Sequence, residues 1–391
     1  MKKITSINSG WVMKQIKDIF LINAGGDLQR ESFSNCKTNV HKYPIYANAF
    51  TNDGLYGYTS DPKYKKDSIT ITARGEIGHA LYREEDFDAI VRLIVLQPIQ
   101  PVVPKYVTYF LNYTKPFMVE STGVPQLTIP KVAQTYLYLP QLQEQLKIAE
   151  ILSTWDDAID KTLAYIQNEK RRKKSIISKI YRGQVSESNI NREDFKRLKH
   201  FLIEVSSRNN GAFDNVLSVS NSKGFIPQDE QFEREVASKD RSNYKVVRRD
   251  EFAYNPSRVN VGSIDQLTTH ESGILSPMYV VFKCNNDLNN RYLYHFLKSD
   301  LFLQMIPKYT QGSVRDSLSF DGLCSMKLYI PTLEEQIVYA QALDSIDEYI
   351  KKLEQFLELY KHQKNGLMQQ LLTGKIRVNV NWKEGDYESE L

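Results

Sequence analysis

Cysteine is scarce and scattered in this 391-residue chain: Cys36, Cys284 and Cys324 form an odd set at unrelated spacings, which excludes a disulfide framework and a zinc cluster. The six histidines, at positions 41, 79, 200, 270, 295 and 362, show no pairing with cysteine or carboxylate at ligand spacing, so no metal site is expected. No apolar run is long enough to span a bilayer. The nearest, Ala89 to Pro104, is broken by Arg92 and by prolines, and Met1-Lys2-Lys3-Ile4 leads into polar residues. A soluble cytoplasmic protein with no membrane partner is the expectation. Neither sign of charge dominates: the net charge is +4, so any nucleic-acid partner has to be argued from where the charges sit.

Two chemical motifs are missing as well. There is no Gly-x4-Gly-Lys-Ser/Thr phosphate cradle, so ATP-driven work would belong to another chain. The Asn/Asp-Pro-Pro-aromatic loop that holds a target amine in amino-methyltransferases is approached only by Tyr254-Asn255-Pro256-Ser257, which lacks the second proline and the aromatic residue. That stretch reads better as a structural turn. The chain is therefore expected to be no enzyme and to bind no cofactor itself.

What the chain does have is a repeat. Leu139-Pro140-Gln141-Leu142-Gln143-Glu144-Gln145 returns as Ile330-Pro331-Thr332-Leu333-Glu334-Glu335-Gln336, and the same spacing holds without a gap as far as Gly183 and Gly374. Ala149 falls on Ala340, Leu152 on Leu343, Asp156 on Asp347 and Ile180 on Leu371. Two copies of one module suggest pseudo-two-fold symmetry and two points of contact with a target.

Each copy predicts a long amphipathic helix. In the first, Leu142, Leu146, Leu152, Trp155, Ile159 and Ile166 recur at threes and fours or their sums. In the second, Leu333, Ile337, Leu343, Ile346, Ile350 and Leu357 do the same. Thr332 and Glu335 read as a capping box, and Gly183 and Gly374 as stops. Each helix would be about 60 Å long. An apolar edge of that length needs a partner, and the other copy supplies it.

The intervening blocks hold short β-branched and aromatic runs, among them Ser68 to Thr72, Ile90 to Leu96, Tyr244 to Val247 and Met278 to Phe282. Each block also ends in a short helix, Pro104 to Leu111 and Arg291 to Leu303. The fold class expected is α+β: two mixed α/β domains separated by two long antiparallel helices that form a coiled-coil spacer, pseudo-two-fold symmetric. The segments are a block over 1–138, a helix over 139–185, a linker over 186–194, a block over 195–329, a helix over 330–376 and a tail over 377–391. The helices repeat closely while the blocks differ, so a common frame carries two unlike modules.

These features together resemble the specificity (S) subunit of type I restriction-modification systems, over nearly the whole chain. The resemblance rests on Leu139-Pro140-(x)3-Glu144-Gln145 with Ala149 to Leu152 and Ile180 to Val185, on their second copy through Gly374-Lys375-Ile376, and on Thr72 to Gly78 and Tyr254 to Ser263 in the blocks. It implies that the blocks are target recognition domains reading a split, asymmetric site on double-stranded DNA. It also implies two methyltransferase subunits as partners and restriction subunits in the full complex, with S-adenosylmethionine, ATP and magnesium bound on those partners.

Candidate DNA contacts are polar or basic side chains in recognition-domain loops. They are Lys63, Tyr64, Lys65, Lys66, Arg74, Thr122 and Gln126 in the first block, and Arg248, Arg249, Arg258, Asn260, Ser313 and Arg315 in the second. Lysines suit phosphates, whereas arginine can read guanine. The run Lys170 to Lys174 is either a solvated helix face or a contact for DNA or an acidic partner. Alternatives are the specificity subunit of a related system whose partner fuses methyltransferase and nuclease, and a coiled-coil assembly adaptor with no DNA role.

Overall fold

The computed structural model describes residues 10–49, 51–117, 126–185, 192–221, 223–228, 241–310 and 317–378. Thr122, Ser313 and Arg315, most of the linker and most of the tail lie outside the described residues.

The first block contains β1 (Val12–Gln15), α1 (Ile16–Ile19), β2 (Phe20–Ala24), β3 (Phe33–Ser34), β4 (Tyr43–Tyr46), β5 (Leu55–Thr59), β6 (Ser68–Thr72), β7 (Ala80–Arg83), β8 (Asp88–Ala89), β9 (Leu93–Pro98), α2 (Pro104–Thr114), α3 (Ile129–Ala133) and β10 (Tyr136–Leu139). The long helix α4 (Leu142–Tyr181) follows. The second block runs through β11 (Phe195–Arg197), β12 (Leu202–Val205), β13 (Leu217–Ser220), β14 (Gly224–Pro227), β15 (Lys245–Arg248), β16 (Phe252–Tyr254), β17 (Ile264–Gln266), β18 (Ser272–Leu275), β19 (Val280–Cys284), α5 (Asn290–Leu297), α6 (Asp300–Met305), α7 (Phe320–Ser325) and β20 (Lys327–Tyr329), and then α8 (Leu333–Leu371).

Contacts divide the chain into two compact units that cut across both long helices, unlike the segmentation expected from sequence. One unit is Met1–Thr162 with Phe356–Leu391; the other is Leu163–Gln355. Each unit therefore combines one block with a portion of α4 and a portion of α8.

The two units share one plan despite their different sequences. The first holds a four-stranded sheet in the order β2-β9-β6-β7, and the second holds β12-β19-β16-β17. In each, a two-stranded ribbon closes the block where the long helix begins, β1 against β10 and β11 against β20. The helix portions run antiparallel within each unit: Asp156 meets Lys364 in the first, and Lys173 meets Asp347 in the second. By the spacing of the repeat these are the same pair, aspartate from one helix and lysine from the other, made twice.

Boundaries differ from expectation where turn chemistry intervenes. Leu93 N turns back to Ile90 O at 3.2 Å, while Val91 N bonds Gly26 O of a distant segment, so β9 starts only at Leu93. Tyr279 donates back to Ser276, which delays β19 to Val280. The single helix expected over Arg291 to Leu303 is two, because Ser299 caps a fresh start by accepting from Phe302 N at 3.2 Å. The capping box of α8 is present, with Glu335 N donating to Thr332 Oγ1 and Thr332 N to the Glu335 carboxylate at 3.0 Å. Gly183 and Gly374 adopt φ of +67° and +69°, the left-handed turn that ends a helix.

Of the expected helix-pairing residues, Leu152, Ile166, Leu343, Ile350 and Leu357 are buried, while Leu142, Trp155, Ile159 and Ile346 are partly so. Trp155 packs edge-on against Tyr360 at 5.8 Å between ring centroids. Leu146, Leu333 and Ile337 are corrections: all three are exposed, at 46%, 43% and 37%. In these first turns the buried stripe runs through Gln145, Ile148, Ala149 and Leu152, and through Gln336, Ala340 and Leu343. Leu146 and Ile337 each follow the buried glutamine, about 100° further round the helix, and so point to solvent.

Candidate nucleic-acid interface

In each unit the best candidate surface is one hairpin loop. In the first, β6 and β7 are joined by residues 73–79, and Thr72 N bonds His79 O at 3.0 Å across its neck. In the second, β16 and β17 are joined by residues 255–263, closed by Asn255 N to Ser263 O at 3.1 Å. A later segment docks on each loop at the same place: Leu127 N donates to Ala73 O at 2.8 Å, and Leu318 N to Pro256 O at 3.1 Å. Arg74 and Gln126, far apart in sequence, thereby come together as an isolated antiparallel bridge. Arg258 and Asn260 occupy the corresponding loop of the second unit, both exposed.

The candidates separate by what their charges already touch. Lys63 pairs with the buried Asp88 at 3.5 Å, Lys65 with Asp86 at 3.0 Å and Arg249 with Glu271 at 2.7 Å. The side chains of Lys66, Arg74, Arg248 and Arg258 make no ion pair among the described residues. Of these, Arg74 and Arg258 stand on equivalent loops. Tyr64 is a correction: it is buried, its ring stacks on Phe87 at 5.4 Å, and its hydroxyl donates to Ala24 O at 3.3 Å. An aromatic between lysines looks like a base-stacking platform in sequence, but the neighbouring Phe87 has claimed its face. The basic run on α4 is largely neutralised, Lys170 by Glu354 at 2.7 Å, Lys173 by Asp347 at 2.5 Å and Lys174 by Asp300 at 2.8 Å. Those contacts favour the helix-face explanation.

Each unit also holds a matched support, at the start of its long helix, that sequence inspection passed over. Gln145 is buried; its Oε1 accepts from Val103 N at 3.0 Å and its Nε2 donates to Pro140 O at 2.9 Å. Gln336 repeats both bonds, to Asn289 N at 2.8 Å and to Pro331 O at 3.0 Å. Tyr106 and Tyr292 donate to Tyr138 O and Tyr329 O, each at 2.9 Å. The missed signal is a second, shorter repeat: Tyr106-(x)2-Tyr109-Phe110-Leu111 parallels Tyr292-(x)2-His295-Phe296-Leu297.

One position of that short repeat differs in chemistry. Tyr109 donates to Asp156 at 2.6 Å, and burial raises its pKa, helped by that carboxylate. His295, with no solvent exposure, contacts Asp344 through Nε2 at 3.0 Å and leaves Nδ1 without a hydrogen bond, 3.9 Å from Asp347. Burial, and then the Lys173 ammonium, lower its pKa to about 4, so the ring is neutral at physiological pH. Burial works to raise the Asp344 carboxyl, but the Arg291 hydrogen bond and charge outweigh it and hold the pKa low. His295, Asp344 and Asp347 place ligand atoms within 4.8 Å of one another. Arg291 and Lys173 already neutralise the two carboxylates, so the cluster has no net negative charge with which to hold a cation.

Similarity to known proteins agrees with this construction. The family model "Type I restriction modification DNA specificity domain" matches residues 8–169 and 270–359, well over half of the chain. The chain belongs to that family. A type I specificity subunit of Mycoplasma pneumoniae is 32% identical over 138 residues, 35% of this chain and 38% of the relative. A second from that organism is 29% identical over 160 residues, 40% of this chain and 51% of the relative. The chain thus spans about half or less of the length of those relatives. The MjaVIII specificity subunit of Methanocaldococcus jannaschii is 25% identical over 310 residues, 71% of each chain. The crystal structure of a type I system S subunit from M. genitalium shares the fold, with a TM-score of 0.62 at 15% identity over 97% of this chain and 99% of that one. Among the described residues no helix is long and apolar enough to cross a membrane.

Proposed function

We propose that this chain is the DNA sequence-specificity subunit of a type I restriction-modification complex, contributing no catalysis of its own. Its two blocks act as target recognition domains for the two unlike halves of a bipartite DNA site. The chain recruits adenine methyltransferase subunits, two per complex, and restriction subunits join them; S-adenosylmethionine, ATP and magnesium are bound by those partners. The observation that carries this reading is the recurrence of an arginine with no ion-pair partner among the described residues, Arg74 and Arg258, on equivalent loops of two otherwise different blocks. An arginine on an exposed loop is suited to a guanine edge in the major groove.

The test is duplex binding by the chain co-purified with its methyltransferase, titrated against salt. Counterion release predicts affinity falling linearly on a log–log plot, and N6-methyladenine mapping should return a split, asymmetric motif. Salt-insensitive or absent binding would refute the proposal and favour a coiled-coil adaptor.

A further inference from the structure

Asn48 makes three hydrogen bonds to the backbone of the first recognition loop. Its Oδ1 accepts from Ala73 N at 2.7 Å and from Arg74 N at 3.2 Å, and its Nδ2 donates to Arg74 O at 2.6 Å. The Asn48 carboxamide holds its carbonyl acceptor and its NH2 donor side by side, so one side chain serves both the N–H and the C=O of Arg74. On the other side, the same stretch is held by Leu127 N and by the Arg74–Gln126 bridge. Gly75 follows with φ of +73° and open space around it, so the chain turns away immediately beyond the clamp.

Asn48 is itself anchored. It lies just after β4, where Ala47 N donates to Gly54 O at 2.8 Å. The buried Arg83 sits over the Tyr46 ring at 3.5 Å, donates to Asp53 O at 3.0 Å and to Thr70 Oγ1 at 2.9 Å, and so ties that segment to the central sheet. The second unit does the equivalent job locally: Asn255 Oδ1 accepts from Ser257 N at 3.1 Å within the loop. The second loop is also tied to another segment by Ser263 Oγ, which donates to Val219 O at 2.7 Å; among the described residues, only the first loop's backbone is held by an asparagine from a different segment.

We propose that Asn48 is a positioning residue that fixes the backbone from which Arg74 reaches the DNA, and so sets base discrimination in one half-site only. This rests on the reading of Arg74 as a DNA contact. The test uses the complex with its methyltransferase and the duplex found by methyladenine mapping, together with single base-pair changes in each half. Arg74→Ala should weaken binding roughly 5- to 150-fold and relax one position of one half-site. Asn48→Ala should relax that same position, leave discrimination in the other half-site at the wild-type ratio, and add no further loss in the Arg74→Ala background.

Independent losses in the double variant, or equal loss in both half-sites, would mean a merely structural role and would overturn the proposal. So would unchanged discrimination in Asn48→Ala beside relaxed discrimination in Arg74→Ala. If Arg74→Ala itself changes nothing, the DNA reading of that loop fails and the role of Asn48 goes with it. Discrimination ratios are internal to each sample, so partial unfolding of Asn48→Ala cannot imitate the one-sided result.

Discussion

Gln145 and Gln336 each tie the loop before a short helix to the first turn of a long one, using both ends of a single amide. Replacing Gln145 by alanine leaves a buried amide donor unpaired, and urea unfolding should show a loss of about 1–3 kcal/mol. If the proposed recognition loops read DNA, Arg258→Ala should weaken duplex binding roughly 5- to 150-fold and relax one half-site. Lys65→Ala should change it far less, because that lysine is exposed and already paired with Asp86. A gel-shift comparison on one duplex would order Arg258→Ala and Lys65→Ala, and equal effects would contradict the sorting by ion pairing. The loop positions of Arg74 and Arg258 were legible in the sequence because a basic residue among glycine, proline and asparagine signals a turn. The role of Asn48 was not, since its partners lie 25 and 26 positions further on. Tyr64 misled for a related reason: nothing local announces that Phe87 covers it.

At the scale of elements, the long helices are the most legible part, because apolar spacing, a proline-led start and a glycine stop all agree. Which flank of the apolar edge is covered is less legible, and Leu146 and Ile337 show why: buried polar glutamines, absent from any hydrophobic pattern, shift the buried face. Strand ends at Leu93 and Val280 depended on turn hydrogen bonds that composition does not record. The short helix α5 also carries a consequence for pH. Below 6.5 the unfolded chain takes up a proton that folded His295 refuses until about pH 4. Its contribution to stability is fully present above 6.5 and is lost progressively as pH falls through that window, on the order of 3 kcal/mol in all. Lys173, Arg291, Asp344 and Asp347 surround it, so the cost reflects burial beside two cations against two carboxylates. His295→Gln should flatten the dependence of unfolding free energy on pH across the window; an unchanged slope would locate the titration elsewhere.

For the molecule as a whole, the proposed DNA role makes the long helices a spacer. Removing one turn, about four residues, from matching points of both should change the number of unread base pairs in the methylation motif. A motif with its gap intact would rule the spacer out. The two compact units also bear on how the chain is made. The core of the first unit contains Met368, Leu371 and Leu372, and Arg377 closes on the buried Glu144 at 2.7 Å. A ribosome adds Glu144 to the chain 233 residues before Arg377. The sheet of the first block therefore waits, with apolar surface uncovered, until that later stretch has been read, and a stop codon shortly after residue 355 would harm the block already made more than the one just finished.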